Sequence, residues 1–222
     1  MTHLNPPDAA ALDGVKNELD FVAAAMGFEP NSMKIMAHRP NILRGFLALM
    51  GAIIGPDAVL DPGLRQMIAH IASSAAGCRY CQAHTAHGAG HAGVSQEKIE
   101  ALWSYSESPL FTEAERAALS LAQAGGSVPN QADARHFDAL KAHFTDAEIV
   151  EIAAIIAAFG FLNRWNDTLA TTLEDSPLAF AHRPQPVEEV TEISAPEISH
   201  VIGGDFVSGV EAFRIVLPFK EP

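Results

Sequence analysis

The feature that most constrains this chain is a series of helix-start signals spread along it. Thr112 with Glu115 and Thr145 with Glu148 each set a hydroxyl three residues before a carboxylate at the head of an apolar periodic run, the pattern in which two side chains satisfy two unpaired N–H groups reciprocally. Asp61-Pro62 and Arg39-Pro40 add two starts in which proline suits the first helical turn, where its missing N–H costs nothing. Residues 12–26 carry Leu12, Val15, Leu19, Val22 and Met26 at helical spacing up to Gly27, and a turn around Pro30 follows. Leu43, Phe46, Leu47 and Met50 form a buried stripe stopped by Gly55-Pro56, and a further apolar helix runs from Leu64 to about Ala75. Ser95 is expected to cap the segment Gln96–Ser106, Asn130 a helix through about His143, and the last long helix to run from Asp146 to about Leu173.

No stretch before Ser176 alternates in the manner of a strand, so the fold class is all-α, a helical bundle over residues 1–175. From 176 to 222 the prolines at 177, 184, 186 and 196 and the acids Glu188, Glu189 and Glu192 predict an extended C-terminal arm, with short strands around His200–Ile202 and Phe213–Leu217. A chain of 222 residues with 48% apolar and 18% charged side chains can bury one good-sized core, and we expect surplus apolar surface to be covered in a homo-oligomer. The net charge of −13 repels phosphate backbones and anionic lipid, which argues against nucleic-acid and membrane partners. The opening residues lack the basic start and apolar centre of a secretory signal, and no apolar run has the length of a spanning helix, so a cytoplasmic location is expected.

Chemistry concentrates between Leu64 and Val94. Both cysteines lie there, as Cys78-Arg79-Tyr80-Cys81, just after Gly77 and before His84 and His87. In a reducing compartment a pair so close indicates catalysis, sensing or metal binding rather than a structural staple. A thiol at a helix N-terminus feels unpaired N–H groups that favour the thiolate, which points to Cys78 as the lower-pKa sulfur, and Cys81 one turn on is placed to exchange with it. Cys78, Cys81, His84 and His87 each follow the last by three residues and therefore spread over half the circumference of a helix. They do not converge on one ion, and a metal would need ligands from elsewhere such as His70 or His91, so neither metal nor cofactor is expected. His84, one turn from Cys81, is a candidate to share a proton with it, and His70 on the preceding helix a candidate to reach the same place. His87 and His91 are expected to face solvent or an interface. Arg164 and Asp167 are spaced for a local ion pair, and Trp165 is read as core.

The run from Leu64 to Ser95, with Arg39-Pro40 before it and Asn163-Arg164 after it, resembles the carboxymuconolactone decarboxylase-like superfamily in its alkylhydroperoxidase D-like, peroxidase-related branch, over roughly residues 30 to 175. The resemblance implies an AhpD-like all-helical oligomer whose dithiol reduces organic hydroperoxides, drawing electrons from a dithiol or thioredoxin-like donor, with Cys81 as the peroxidatic and Cys78 as the resolving cysteine. It also implies a proton relay through a histidine and a glutamate. Here the histidine follows Cys81 by three residues rather than four, Thr85 standing at the fourth, and the glutamate's place twelve residues before Cys78 is Gln66. An amide does not accept and return a proton at neutral pH. Either His70 takes over, or peroxidase activity is weak, or the chemistry differs. The alternatives are a decarboxylase-like lyase, which would not need the cysteines, and a non-enzymatic redox sensor.

Overall fold

In a computed structural model that describes residues 2–181, eleven α-helices are joined by short connections, with no strand among the described residues. They are α1 (Ala9–Asp13), α2 (Lys16–Met26), α3 (Asn31–Met36), α4 (Pro40–Ile54), α5 (Pro62–Ala75), α6 (Arg79–His91), α7 (Gln96–Glu100), α8 (Glu113–Gly126), α9 (Ala134–Lys141), α10 (Asp146–Leu169) and α11 (Asp175–Ala181), with a 3₁₀ turn at Leu102–Ser104. The all-helical class is as expected. The rest of the predicted arm, 182–222, including its candidate strands, lies outside the described residues.

The strongest local signals set their helices in place. Both Thr–Glu capping boxes form, at the heads of α8 and α10, and Asp61 accepts from the Leu64 N–H at the head of α5. Several boundaries differ from the sequence reading, and residues 176–181, expected to begin the extended arm, form the body of α11 instead. The first helix breaks in two at Gly14-Val15. The turn at Pro30 opens into α3, with Pro30 just before its first residue. The segment after Ser95 keeps its cap but ends as a helix at Glu100. The helix expected after Asn130 starts at Ala134 instead, because Asp133 and His136 make the capping box there while the Asn130 amide oxygen only turns the loop by accepting from Ala132 N.

Helix α5 is the centre of the packing, against α6, α8 and α10. Its Ile68, Ile71 and Ala72 are wholly buried and Met67 nearly so. Each such large side chain contributes about 1.5–3 kcal/mol of transfer free energy. α8 reaches α5 closely because Gly126 has no side chain: a Cβ there would stand 2.5 Å from the Ala72 carbonyl oxygen. Along α10 a single stripe is buried, Ile149, Ile152, Ile156 and Phe159, and it continues into Asn163 and Asn166, two amides where the spacing calls for apolar residues.

The antiparallel pair α5–α6 turns at Gly77, whose φ of +79° is a left-handed conformation that glycine adopts without strain. Cys78 is the N-cap of α6, so the first helical turn begins directly at the dithiol, and at the other end Ala92 and left-handed Gly93 (φ +86°) stop the helix. The long α10 ends earlier than its periodicity suggests, at Leu169, with Ala170 in the left-handed region. That early stop frees residues 171–174 to cross toward α6.

Candidate active site

Helix α6 has two chemically different faces. On one, Cys78 and Cys81 are free thiols, buried against the core at 0% and 2% exposure. The Cys78 thiol is pushed well above the usual thiol range, first by its hydrogen bond to the Cys81 sulfur and then by burial, with the Asp167 carboxylate acting in the same direction. This reverses the expectation from the helix terminus. The dipole acts on Cys78 as predicted in direction, but a buried sulfur beside a second sulfur and a carboxylate loses more from desolvation and like charge than the terminus returns. Cys78 is therefore the sulfur held toward its protonated form. Asn166 of α10 turns its amide toward Cys81, Nδ2 to Sγ 3.5 Å.

One turn on, Thr85 donates to the Cys81 carbonyl at 2.7 Å, and His70 of α5 meets Thr85 Oγ1 at 3.1 Å and the Gln82 carbonyl at 3.2 Å through Nδ1. Burial lowers the His70 imidazole to about 4, partly offset by its bond to the Gln82 carbonyl. It is neutral around pH 7 and a weak base. Gln66, a turn earlier on α5, packs on the other side of this level: a Cβ on Gly88 would stand 2.7 Å from its Oε1, which places the amide about two helical turns beyond Cys81.

The neighbouring face carries Tyr80, His84, His87 and His91, spaced so that all four lie on one side of α6, with His84 about 60° around the axis from Cys81. Here the structure supplies a carboxylate that no sequence signal marked. Glu174, in the crossing segment after α10, takes His84 Nε2 at 2.6 Å through Oε2, and through Oε1 accepts from the Tyr80 hydroxyl at 2.8 Å and from the Asn31 backbone N–H. Burial pushes the Glu174 carboxyl up, but His84, the Asn31 N–H and the Tyr80 hydroxyl outweigh it and hold it below the usual carboxylate range. Tyr80 is driven the other way, by burial and by the Glu174 charge, and stays a neutral phenol. Its ring stacks on His84 with centroids 4.3 Å apart, and Phe28 closes the edge at 5.4 Å. His87, expected at the surface, is buried instead: α11 folds over it, with Ser176 Oγ 3.1 Å from Nε2 and the Phe180 ring edge-on at 5.7 Å. His91 is exposed, as expected.

A cavity of about 1020 Å³ lies between the C-terminal ends of α5 and α8 and the length of α10. Asn163, Arg164, Trp165 and Asp167 all line it, so the segment read from the sequence as an ion-paired interruption of a core helix forms a cavity wall. Arg164 caps the Gly160 carbonyl at 3.2 Å, and Asp167 acts on Cys78. Among the described residues no group of three or more His, Cys, Asp or Glu side chains is placed to hold a metal, and no helix is long and apolar enough to cross a membrane.

Of the five residues predicted for the site, the structure thus brings Cys78 and Cys81 together, sets His70 one turn beyond them against Thr85, turns His84 to Glu174, and leaves Gln66 further along α6. Asn163, Asn166 and Asp167 were missed as site residues. Their signal was present in the interrupted apolar stripe of α10. Glu174 had none, since it follows the helix and its partners lie far away in sequence.

The comparisons with known proteins agree with the all-helical fold. Residues 40–124 match the model of the carboxymuconolactone decarboxylase family. The debrominase Bmp8, solved as a cysteine-to-alanine variant with 2,3,4-tribromopyrrole, is 34% identical and superposes with a TM-score of 0.75, covering 82% of this chain and 96% of its own. A peroxidase-related protein from Ralstonia eutropha JMP134 with an alkylhydroperoxidase AhpD core is 28% identical, with a TM-score of 0.73 over 83% of this chain and 98% of that one. YnjA of Escherichia coli K12 is 28% identical over 110 residues, 50% of this chain, and the match spans 60% of YnjA. The chain belongs to the carboxymuconolactone decarboxylase-like superfamily, in its AhpD-like, peroxidase-related branch.

Proposed function

We propose that the protein is a thiol-dependent peroxidase that reduces organic hydroperoxides through Cys78 and Cys81. The observation that carries this reading is the pair itself: Cys78 at the N-cap of α6 and Cys81 one turn on are free, buried thiols whose sulfurs interact, the arrangement that a nucleophile and its resolving partner require. Cys81 as thiolate attacks the terminal oxygen of ROOH, the O–O bond breaks, and RO⁻ leaves and takes up a proton as ROH. The sulfenic acid left on Cys81 is attacked by Cys78, and water departs as the disulfide closes. In sum, ROOH and two thiols give ROH, water and one disulfide. A dithiol or thioredoxin-like donor returns two electrons and two protons. Three-residue spacing at a helix start meets disulfide geometry with slight adjustment.

In this reading Glu174 supplies the carboxylate that Gln66 lacks, orienting His84 one turn from Cys81 so that its imidazole passes a proton near the reacting atoms. The protein works as a homo-oligomer in the cytoplasm.

The similarity to Bmp8 over nearly the whole of that chain favours a second reading, reductive dehalogenation by the same dithiol. There an aryl bromide and two thiols give the arene, HBr and a disulfide. One assay separates them. Reduced protein with dithiothreitol as donor is expected to consume cumene hydroperoxide, and Cys81→Ser to abolish it. Bromide release from a brominated pyrrole with no peroxide consumption would favour the second reading, and a decarboxylase-like activity that survives loss of both cysteines would refute both.

A further inference from the structure

The α10 wall of the cavity carries an amide with nothing to bind. Asn163 is 3% exposed, and neither its Oδ1 nor its Nδ2 has a hydrogen-bond partner among the described residues. The neighbouring indole Nε1 of Trp165 is buried and unpartnered as well. Buried polar atoms are almost always paired, because each gives up its bonds to water on folding. Three such atoms on Asn163 and Trp165, two residues apart along one cavity wall, are a set of donors and an acceptor waiting for a ligand. Beside the polar Arg164, Asp167 and Thr168, the wall offers an apolar stretch that suits a ring, with Leu121, Ile156 and the Phe161–Trp165 stack, whose centroids lie 6.0 Å apart at 20°. Its volume of about 1020 Å³ lies at the upper end of the roughly 300–1,000 Å³ usual for small-molecule sites. Two residues of α10 link the cavity to the dithiol, whose sulfurs are not themselves part of its wall. Asp167 belongs to that wall and acts on Cys78, and Asn166, one turn from Asn163 on the same buried stripe, touches the Cys81 sulfur.

We propose that this cavity is the substrate site, that it selects an apolar, ring-bearing electrophile whose polar edge offers a donor and an acceptor side by side, and that Asn163 is the residue that positions it. This rests on the dithiol reading of the function and deepens it. An aryl-alkyl hydroperoxide fits the description, its ring against Phe161 and Trp165 and its O–O–H edge on the carboxamide, which accepts from the hydroxyl and donates to an oxygen. Hydrogen peroxide has the edge and lacks the body, so it leaves the apolar wall wet and gains little from the site.

The test separates binding from turnover. The probe is 2-phenyl-2-propanol, the alcohol that cumene hydroperoxide leaves behind, which keeps ring and polar edge and does not oxidise thiols. Its binding to the reduced full-length protein is followed by calorimetry and by tryptophan fluorescence, Trp165 lying in the cavity and Trp103 exposed outside it. Asn163→Leu, which removes both polar atoms at nearly constant volume, is expected to weaken binding at least tenfold while the thermal midpoint holds or rises. Ala157→Trp, which fills the cavity from its exposed wall, is expected to do the same without touching the amide. In turnover, both lower the ratio of kcat/KM for cumene hydroperoxide to that for hydrogen peroxide, through KM. Equal probe affinity in wild type and Asn163→Leu overturns the proposal, as does a cavity that a second copy of the chain closes to the probe. Probe binding that depends on Asn163 in a protein whose dithiol no hydroperoxide oxidises would uphold the site and refute the peroxidase reading instead.

Discussion

The two faces of α6 treat buried polar groups in opposite ways. On the histidine side every strong group is matched: Glu174 accepts from Tyr80 and Asn31 and meets His84, so a carboxylate is held ionised in a largely apolar setting. On the dithiol side matching is left incomplete. Cys78 is held protonated, and Asn163, the Asn166 Oδ1 and the Ser73 hydroxyl have no partner among the described residues. A satisfied network fixes geometry, whereas an unsatisfied one stores an affinity that a ligand can release. The helix therefore joins a matched face to an incompletely matched one.

The sharpest way to break that contrast is to remove a sulfur. Cys81→Ser is expected to lose peroxide turnover by at least about 10³-fold, the scale set by loss of an activated nucleophile, whereas Cys78→Ser still consumes one equivalent in a single turnover and then stops. Stopped-flow peroxide consumption distinguishes the two, and equal behaviour would refute the division of roles.

Removing the orienting carboxylate comes next. Glu174→Gln keeps volume and loses the charge on His84, and turnover should fall by about 10²-fold at neutral pH. Stability should fall by about 2–3 kcal/mol, because charged hydrogen bonds are replaced by neutral ones. Denaturant titration measures the second quantity separately from the first.

On the dithiol side the next effect is read in stability rather than turnover. Because burial lowers His70 from 6.5 to about 4, the unfolded chain binds a proton in that window that the folded chain refuses. Stability present above pH 6.5 is therefore lost as pH falls toward 4, by about 3 kcal/mol in total, and this contribution does not worsen below. Thermal melts against pH should show that slope, and His70→Gln should flatten it. The least effect is expected of Gln66→Glu. With its side chain against Gly88, well beyond Cys81, the new carboxylate should change turnover by less than about twofold, so a large gain would show that the relay runs past Gln66 after all.

The elements of this fold that sequence revealed are those whose cause is local. Capping boxes at Thr112 and Thr145, the Asp61 cap and the left-handed Gly93 act within a few residues, and each formed as read. The dithiol was legible for the same reason, being four consecutive residues. What stayed hidden depends on distance. Asp133 displaced Asn130 as a cap because its partner His136 completes the box, a competition between two plausible starts. His87 looked exposed until α11 covered it, and Glu174 reaches Tyr80 and His84 only because α10 stops at Ala170 and the chain crosses back. The rise of the Cys78 thiol likewise comes from its bond to the Cys81 sulfur and from burial, neither of which spacing reports.

The central claim is that Cys81 is oxidised first and Cys78 resolves it. The most direct measurement is the intact mass of the reduced protein after one equivalent of cumene hydroperoxide, for wild type and Cys78→Ser side by side under non-reducing conditions. The account predicts that wild type loses two hydrogens as the intramolecular disulfide closes, and that Cys78→Ser gains one oxygen, mapped to Cys81. Two free thiols persisting in wild type, or oxygen addition on Cys78 in a Cys81→Ser protein at the same rate, would contradict it.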